Sequence, residues 1–193
     1  MSESVWLCRR KNHGFVSGLG FSRAARTQEN LGFSPCMTRP SRNASPEQIL
    51  SSSRRFFVSS RTDAGRSLLQ SERNATLFID VLREYVKKKK FEVVDFVIMP
   101  NHVHVILTVC SDMTIERAVG LIKGRFSYRL KDEFGYLGEV WQPGFSEERI
   151  DSLETLRRCQ QYIAENPVKA GLAKDPNEYP YCFQYLARKK TRG

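Results

Sequence analysis

Histidine and cysteine are scarce in this chain, with 3 and 5 copies among 193 residues. The cysteines (Cys8, Cys36, Cys110, Cys159 and Cys182) are scattered, odd in number and never spaced C-x-x-C. That distribution excludes a disulfide framework and a cysteine-based zinc site, and it fits a reducing cytoplasm. Long apolar runs are missing too. No stretch approaches the roughly 20 residues of a membrane-spanning helix, and the N-terminus lacks the unbroken apolar core of a secretory signal. Acid is in deficit, since 21 Asp and Glu face 31 Lys and Arg for a net charge of +10. A chain of that sign is suited to nucleic acid or another anionic surface. No internal repeat is visible, and 40% hydrophobic residues are enough for one domain with a true core.

The first 50 residues differ from the rest. They are rich in Ser, Arg, Gly and Asn, carry Pro35, Pro40 and Pro46, and hold seven Lys and Arg against three Asp and Glu. Without helix or strand periodicity they are expected to form a flexible basic extension, which leaves His13 without a role. The domain proper is expected over residues 51–188, with a short basic tail at 189–193. Arg55 to Ser60 has the composition of a first strand, closed by Asp63-Ala64-Gly65. Ser71 to Lys90 reads as a helix, with Ser71 at its N-cap and Leu77, Phe78, Val81, Leu82, Tyr85 and Val86 on one face. Phe91 to Met99 and His102 to Val109 form a hairpin around Pro100-Asn101.

Met113 to about Phe134 reads as a second amphipathic helix, with Ile115, Val119, Ile122 and Phe126 inward. Its other faces carry Lys123, Arg125, Arg129 and Lys131 around Tyr128, a basic and aromatic mixture that suits single-stranded nucleic acid. A connector broken by Gly and Pro follows, then a short edge strand at Ser146 to Ile150. Asp151 and Glu154 give a capping signal for a last helix, expected to end at Asn166 because Pro167 follows. Leu156, Cys159 or Gln160, and Ile163 form its buried stripe. The order β-α-β-β-α-β predicts a ferredoxin-like α+β plait with an antiparallel sheet and one added helix.

Two of the three histidines sit together in FVIMPNHVHVILTV, residues 96–109. On a strand, His102 and His104 project to one side while Val103, Val105 and Leu107 project to the other. Two imidazoles at i and i+2 can share a metal ion without backbone strain, although a lone His-x-His equally describes two histidines on a sheet face. About sixty residues downstream, Tyr162 and Asn166 lie four apart and so share a face of the last helix.

MPNHVHVIL, VWQPGF and YIAENPVKAGL, in this order, resemble the REP-associated tyrosine transposases. These are relatives of the single-tyrosine insertion-sequence transposases in the HUH endonuclease superfamily. The resemblance covers roughly residues 54–185. It implies that His102 and His104 are metal ligands, that Asn166 adds a polar ligand beside them, and that Tyr162 is the nucleophile. It also implies a divalent cation, Mg²⁺ or Mn²⁺, a monomer or homodimer, and REP-type palindromic DNA met as hairpins with adjacent single strand. Where relatives are expected to carry a histidine, this chain has Glu148. Two other readings stay open: a hairpin-binding protein without catalysis, and a small zinc hydrolase, which lacks a third local ligand.

Overall fold

The computed structural model describes residues 53–191, so the expected N-terminal extension, with Cys8, His13 and Cys36, lies outside the described residues. Strands β1 (Ser53–Arg61), β2 (Glu92–Met99), β3 (His102–Cys110) and β4 (Ser146–Arg149) alternate with helices α1 (Glu72–Lys87) and α2 (Ile115–Phe134). Helix α3 (Leu153–Lys169) and helix α4 (Phe183–Thr191) follow. The strands form one sheet in the order β2-β3-β1-β4, every neighbouring pair antiparallel. This is the ferredoxin-like plait expected from the element order. Helix α4 was not foreseen, and it runs into the stretch expected to be a basic tail.

Alternation along β1 and β3 divides the core between the two faces of the sheet. Phe56, Val58, Val103, Val105 and Leu107 are buried against Leu77, Phe78, Val81 and Leu82 of α1 and Ile115, Val119, Ile122 and Phe126 of α2. Phe57, Val97, Met99 and Ile106 are buried on the opposite face against Cys159 and Ile163 of α3 and against Tyr179 and Cys182. On the first face, the rings of Phe78, Phe126 and Trp141 pack with centroids 5.4 to 5.9 Å apart. Trp141 Nε1 donates to Lys123 O at 3.2 Å. Thr62 bridges Trp141 and Gln142 N donates to Arg61 O at 2.9 Å, so the Trp-Gln-Pro-Gly connector is sewn to the end of β1.

The helix starts follow capping chemistry. The hydroxyls of Ser71, Thr114 and Ser152 each accept from the backbone N–H three residues on. Ser152, rather than Asp151, therefore caps α3, which corrects the expected D-x-x-E signal. The expected stop at Asn166 is also corrected, because α3 continues through Pro167 to Lys169. Proline removes the N–H that would reach Ile163, yet the next turn closes through Ala170 N to Asn166 O and Leu172 N to Pro167 O. Pro167 itself is buried, and Gly171 at φ +69° ends the run.

The outer edge of β2 is covered rather than left open. Ile98 N donates to Tyr181 O at 2.9 Å, and the Tyr179 hydroxyl donates to Ile98 O at 2.7 Å. Beside this strap lies the buried carboxyl of Asp95, next to a bulge in the β2–β3 register. Burial pushes its pKa up to about 7, although Phe96 N donates a hydrogen bond to the charged form. The folded chain thus holds this proton more tightly than the unfolded one. Its stabilising effect is present below the ordinary value of 3.8 and is lost as pH rises through about 7. Asp95→Asn should remove that slope, so the melting temperatures of variant and wild type should converge near pH 4. At pH 8 the variant should be the more stable by up to about 4 kcal/mol. Thermal unfolding followed across pH measures both.

Candidate active site

The site forms where β1 and β3 run side by side under the C-terminal half of α3. In the β1–β3 register Ser59 faces His104 and Arg61 faces His102, so all four project from the α3 side of the sheet. The imidazoles of His102 and His104 stand 4.8 Å apart between centroids at 76°. Phe57 stacks on His104 at 5.4 Å and 16°, and the ring of Tyr162 meets His104 edge-on at 5.2 Å. Tyr162 also meets Phe57 edge-on at 5.9 Å. Helix α3 thus delivers Tyr162 to the histidines within a single chain. One turn on, Asn166 hydrogen-bonds His102.

Each imidazole is tied at Nδ1. His102 Nδ1 donates to Asn101 Oδ1 at 2.7 Å, and His104 Nδ1 lies 2.5 Å from Ser59 Oγ. His104 is 5% exposed, and its Nε2 is buried without a protein partner. Burial pushes the pKa of His102 down to about 4, and the Arg61 charge acts in the same direction against the Asn166 hydrogen bond. Burial, then His102 and Arg61, holds His104 well below its usual range. Both rings are therefore neutral at physiological pH, the state in which imidazole binds a metal.

These observations test whether the donor set fits a divalent cation. Two neutral imidazoles, one with a buried unpartnered nitrogen, and an amide oxygen one helical turn from Tyr162 fit an ion that keeps open positions. Among the described residues no group of three or more His, Cys, Asp or Glu is placed to hold a metal. A three- or four-ligand zinc site of those residues is therefore missing from the described fold.

Comparison with known proteins shows the family. The model of the family "Transposase IS200 like" matches residues 58–166, more than half of the chain. The chain belongs to the IS200-like transposase family. Its relatives include the REP-associated tyrosine transposase of Escherichia coli (strain K12). That protein is 29% identical over 151 residues, which cover 75% of this chain and 87% of the relative. A solved structure of a REP-associated tyrosine transposase bound to a REP hairpin matches with a TM-score of 0.61 and 25% identity. The match covers 79% of this chain and 87% of that one.

The residues expected on α2 do not join this site, because α2 packs on the other face of the sheet. Lys123 Nζ donates to Gln142 O at 2.9 Å and Gly144 O at 2.7 Å, and burial lowers its pKa. It anchors the connector instead of standing free for a phosphate. Arg125 pairs with Glu84 at 3.1 Å, and Arg129 pairs with Glu133 at 2.5 Å. Lys131 and Tyr128 are exposed, Tyr128 at 58%. Glu148 pairs with Arg158 of α3, so it ties the edge strand to the tyrosine helix.

Sequence reasoning missed Phe57, Ser59 and Arg61, which line the site from β1, and Asn101 in the hairpin turn. Their spacing at i, i+2 and i+4 was visible, but the register that sets them beside the histidines was not. Among described residues, no helix is long and apolar enough to cross a membrane.

The depressed histidines set a pH dependence. His102 refuses a proton that the unfolded chain accepts below the ordinary value of 6.5. Its contribution is complete above 6.5 and is lost as pH falls through about 4. Metal-free protein should lose up to about 3 kcal/mol over that window through His102. His102→Gln should flatten the acid limb in urea unfolding at pH 7, 5.5 and 4.5.

Proposed function

We propose that this protein is an active DNA strand transferase that cleaves single-stranded or hairpin DNA and rejoins it through a covalent bond to Tyr162. The observation that carries this reading is the packing of Tyr162 edge-on to His104, with His102 and Asn166 alongside. A phenol on a core-packed helix has no structural need to meet two neutral imidazoles. As a nucleophile it does, because the scissile phosphate must sit between the attacking oxygen and a charge-stabilising centre.

In the proposed reaction Tyr162 Oη loses its proton and attacks phosphorus. A phosphotyrosine bond forms as one P–O ester bond to the leaving strand breaks, and that strand's oxygen takes up a proton. The joint retains the energy of the broken ester, so attack by a strand hydroxyl reverses the chemistry without ATP. His102, His104 and Asn166 would hold Mg²⁺ or Mn²⁺. When bound, the cation would neutralise charge on the non-bridging oxygens. Arg61 adds fixed positive charge on the same side of the sheet, and Phe57 keeps water from the back of His104.

The relative solved with a REP hairpin supports hairpin DNA as the substrate class. Net charge of +10 supports backbone contacts that tighten at low salt. Exposed Tyr128 and Lys131 on α2 are candidates for contacts away from the chemistry.

Tyr162→Phe keeps the ring and removes only the nucleophilic oxygen. It should cost about 1 kcal/mol of stability at most. It should still bind hairpin DNA and Mn²⁺ but give no covalent adduct on denaturing gels. Phe variants at Tyr85, Tyr128, Tyr136, Tyr179, Tyr181 and Tyr185 should still form it. An adduct retained by Tyr162→Phe and lost in one of these would assign the nucleophile elsewhere.

His102→Ala combined with His104→Ala should abolish cleavage and leave hairpin affinity nearly intact, because affinity should come from basic side chains and backbone contacts. Loss of binding together with cleavage, in a variant that keeps its melting transition, would overturn this division of labour.

A further inference from the structure

We propose that Ser59 is a positioning residue that holds His104 in its Nδ1-protonated tautomer, turning the bare Nε2 toward the metal position. The inference rests on the reading of the histidine pair as metal ligands.

Three observations carry it. The first is the cross-strand hydrogen bond. Ser59 and His104 are directly paired in the β1–β3 register, and Ser59 Oγ lies 2.5 Å from Nδ1. The second is confinement. The imidazole is stacked on Phe57 at 5.4 Å and closed edge-on by Tyr162 at 5.2 Å, with 5% of the residue exposed. A ring packed against two neighbouring rings and almost fully buried does not swing out to water, so its remaining freedom is a flip that exchanges its two edges, or a shift of the proton between its nitrogens. The third is the state of the far nitrogen. Nε2 is buried with no protein partner. A proton there would leave a buried N–H donor unpaired, whereas a bare lone pair is what a cation requires.

His102 follows the same rule in the same site. Its Nδ1 donates to Asn101 Oδ1 at 2.7 Å, and an amide oxygen can only accept. Both rings therefore commit Nδ1 to a protein oxygen, and at His104 the Nε2 is left without a protein partner. An outer hydroxyl or amide that fixes the tautomer of a ligating histidine raises metal affinity without touching the metal. Ser59 belongs to β1 and Asn101 to the β2–β3 turn, so two separate parts of the fold orient the two ligands.

The test is a long-range ¹H–¹⁵N spectrum of the full chain after dialysis against a chelator, which reports the protonated nitrogen of each neutral imidazole. Wild type should show His104 protonated at Nδ1, and protonation at Nε2 would overturn the proposal. Ser59→Ala should lose this preference and weaken Mn²⁺ binding by about 10- to 100-fold in calorimetry, with its melting transition retained. Ser59→Thr, which restores a hydroxyl on a strand-compatible side chain, should recover both. Ser60→Ala, on the opposite face of β1, serves as the control and should change neither. An unchanged tautomer and unchanged Mn²⁺ affinity in Ser59→Ala would also overturn the proposal. Should wild type bind no Mn²⁺, the metal reading fails by itself, and the spectra of wild type, Ser59→Ala and Ser59→Thr still decide whether Ser59 sets the tautomer.

Discussion

The antiparallel ladder between β1 and β3 is the constraint on which the rest of the molecule depends, because it joins the two central strands and aligns their side chains in pairs. Ser53 to Arg61 pair without interruption with Cys110 to His102. One face of that ladder carries Phe56, Val58, Val103 and Val105 into the α1–α2 core, and the other carries Phe57, Ser59, His102 and His104 toward α3. A slip of one residue would exchange the faces. It would drive two imidazoles into an apolar layer and turn valines toward the tyrosine helix. The apolar core thus specifies the geometry of the polar site.

Helix α3 supplies what the ladder cannot, a side chain approaching the sheet from outside. Cys159 and Ile163 are buried against Phe57 and Ile106, which fixes the rotation of the helix and points Tyr162 at the histidines. Extension of the helix past Pro167 keeps Asn166 in helical register one turn beyond Tyr162. The Glu148–Arg158 pair ties the same helix to the edge strand, and Ser152 caps its start. Tyrosine placement is therefore shared among packing, capping and one ion pair.

The electrostatics of the site follow from burial as much as from charge. Burial and the nearby Arg61 charge make a centre that disfavours protonation of its imidazoles. Elsewhere cations are spent on structure. Lys123 holds the connector that follows α2, and Arg125 and Arg129 pair with Glu84 and Glu133. The net charge of +10 thus does not distribute evenly into binding contacts.

Local patterns by themselves determined much of this protein. Alternating apolar residues separated the valines from the histidines, helical periodicity marked the buried sides of α1 and α2, and element order specified the plait. Periodicity placed His102 with His104, and Tyr162 with Asn166, on shared faces of their segments, and the resemblance carried by three short motifs singled these four side chains out. What only the tertiary structure decided was everything requiring two segments at once. Register put Ser59 and Arg61 beside the histidines, and sheet layering sent the basic face of α2 away from them. Lys123 found its carbonyl partners 19 and 21 residues away. Capping by Ser152 rather than Asp151, and continuation of α3 through Pro167, were settled by packing and by hydrogen bonds closed beyond the break. Periodicity describes one segment's faces, whereas pairing, partner choice and burial are properties of segments in contact, and no single stretch encodes them.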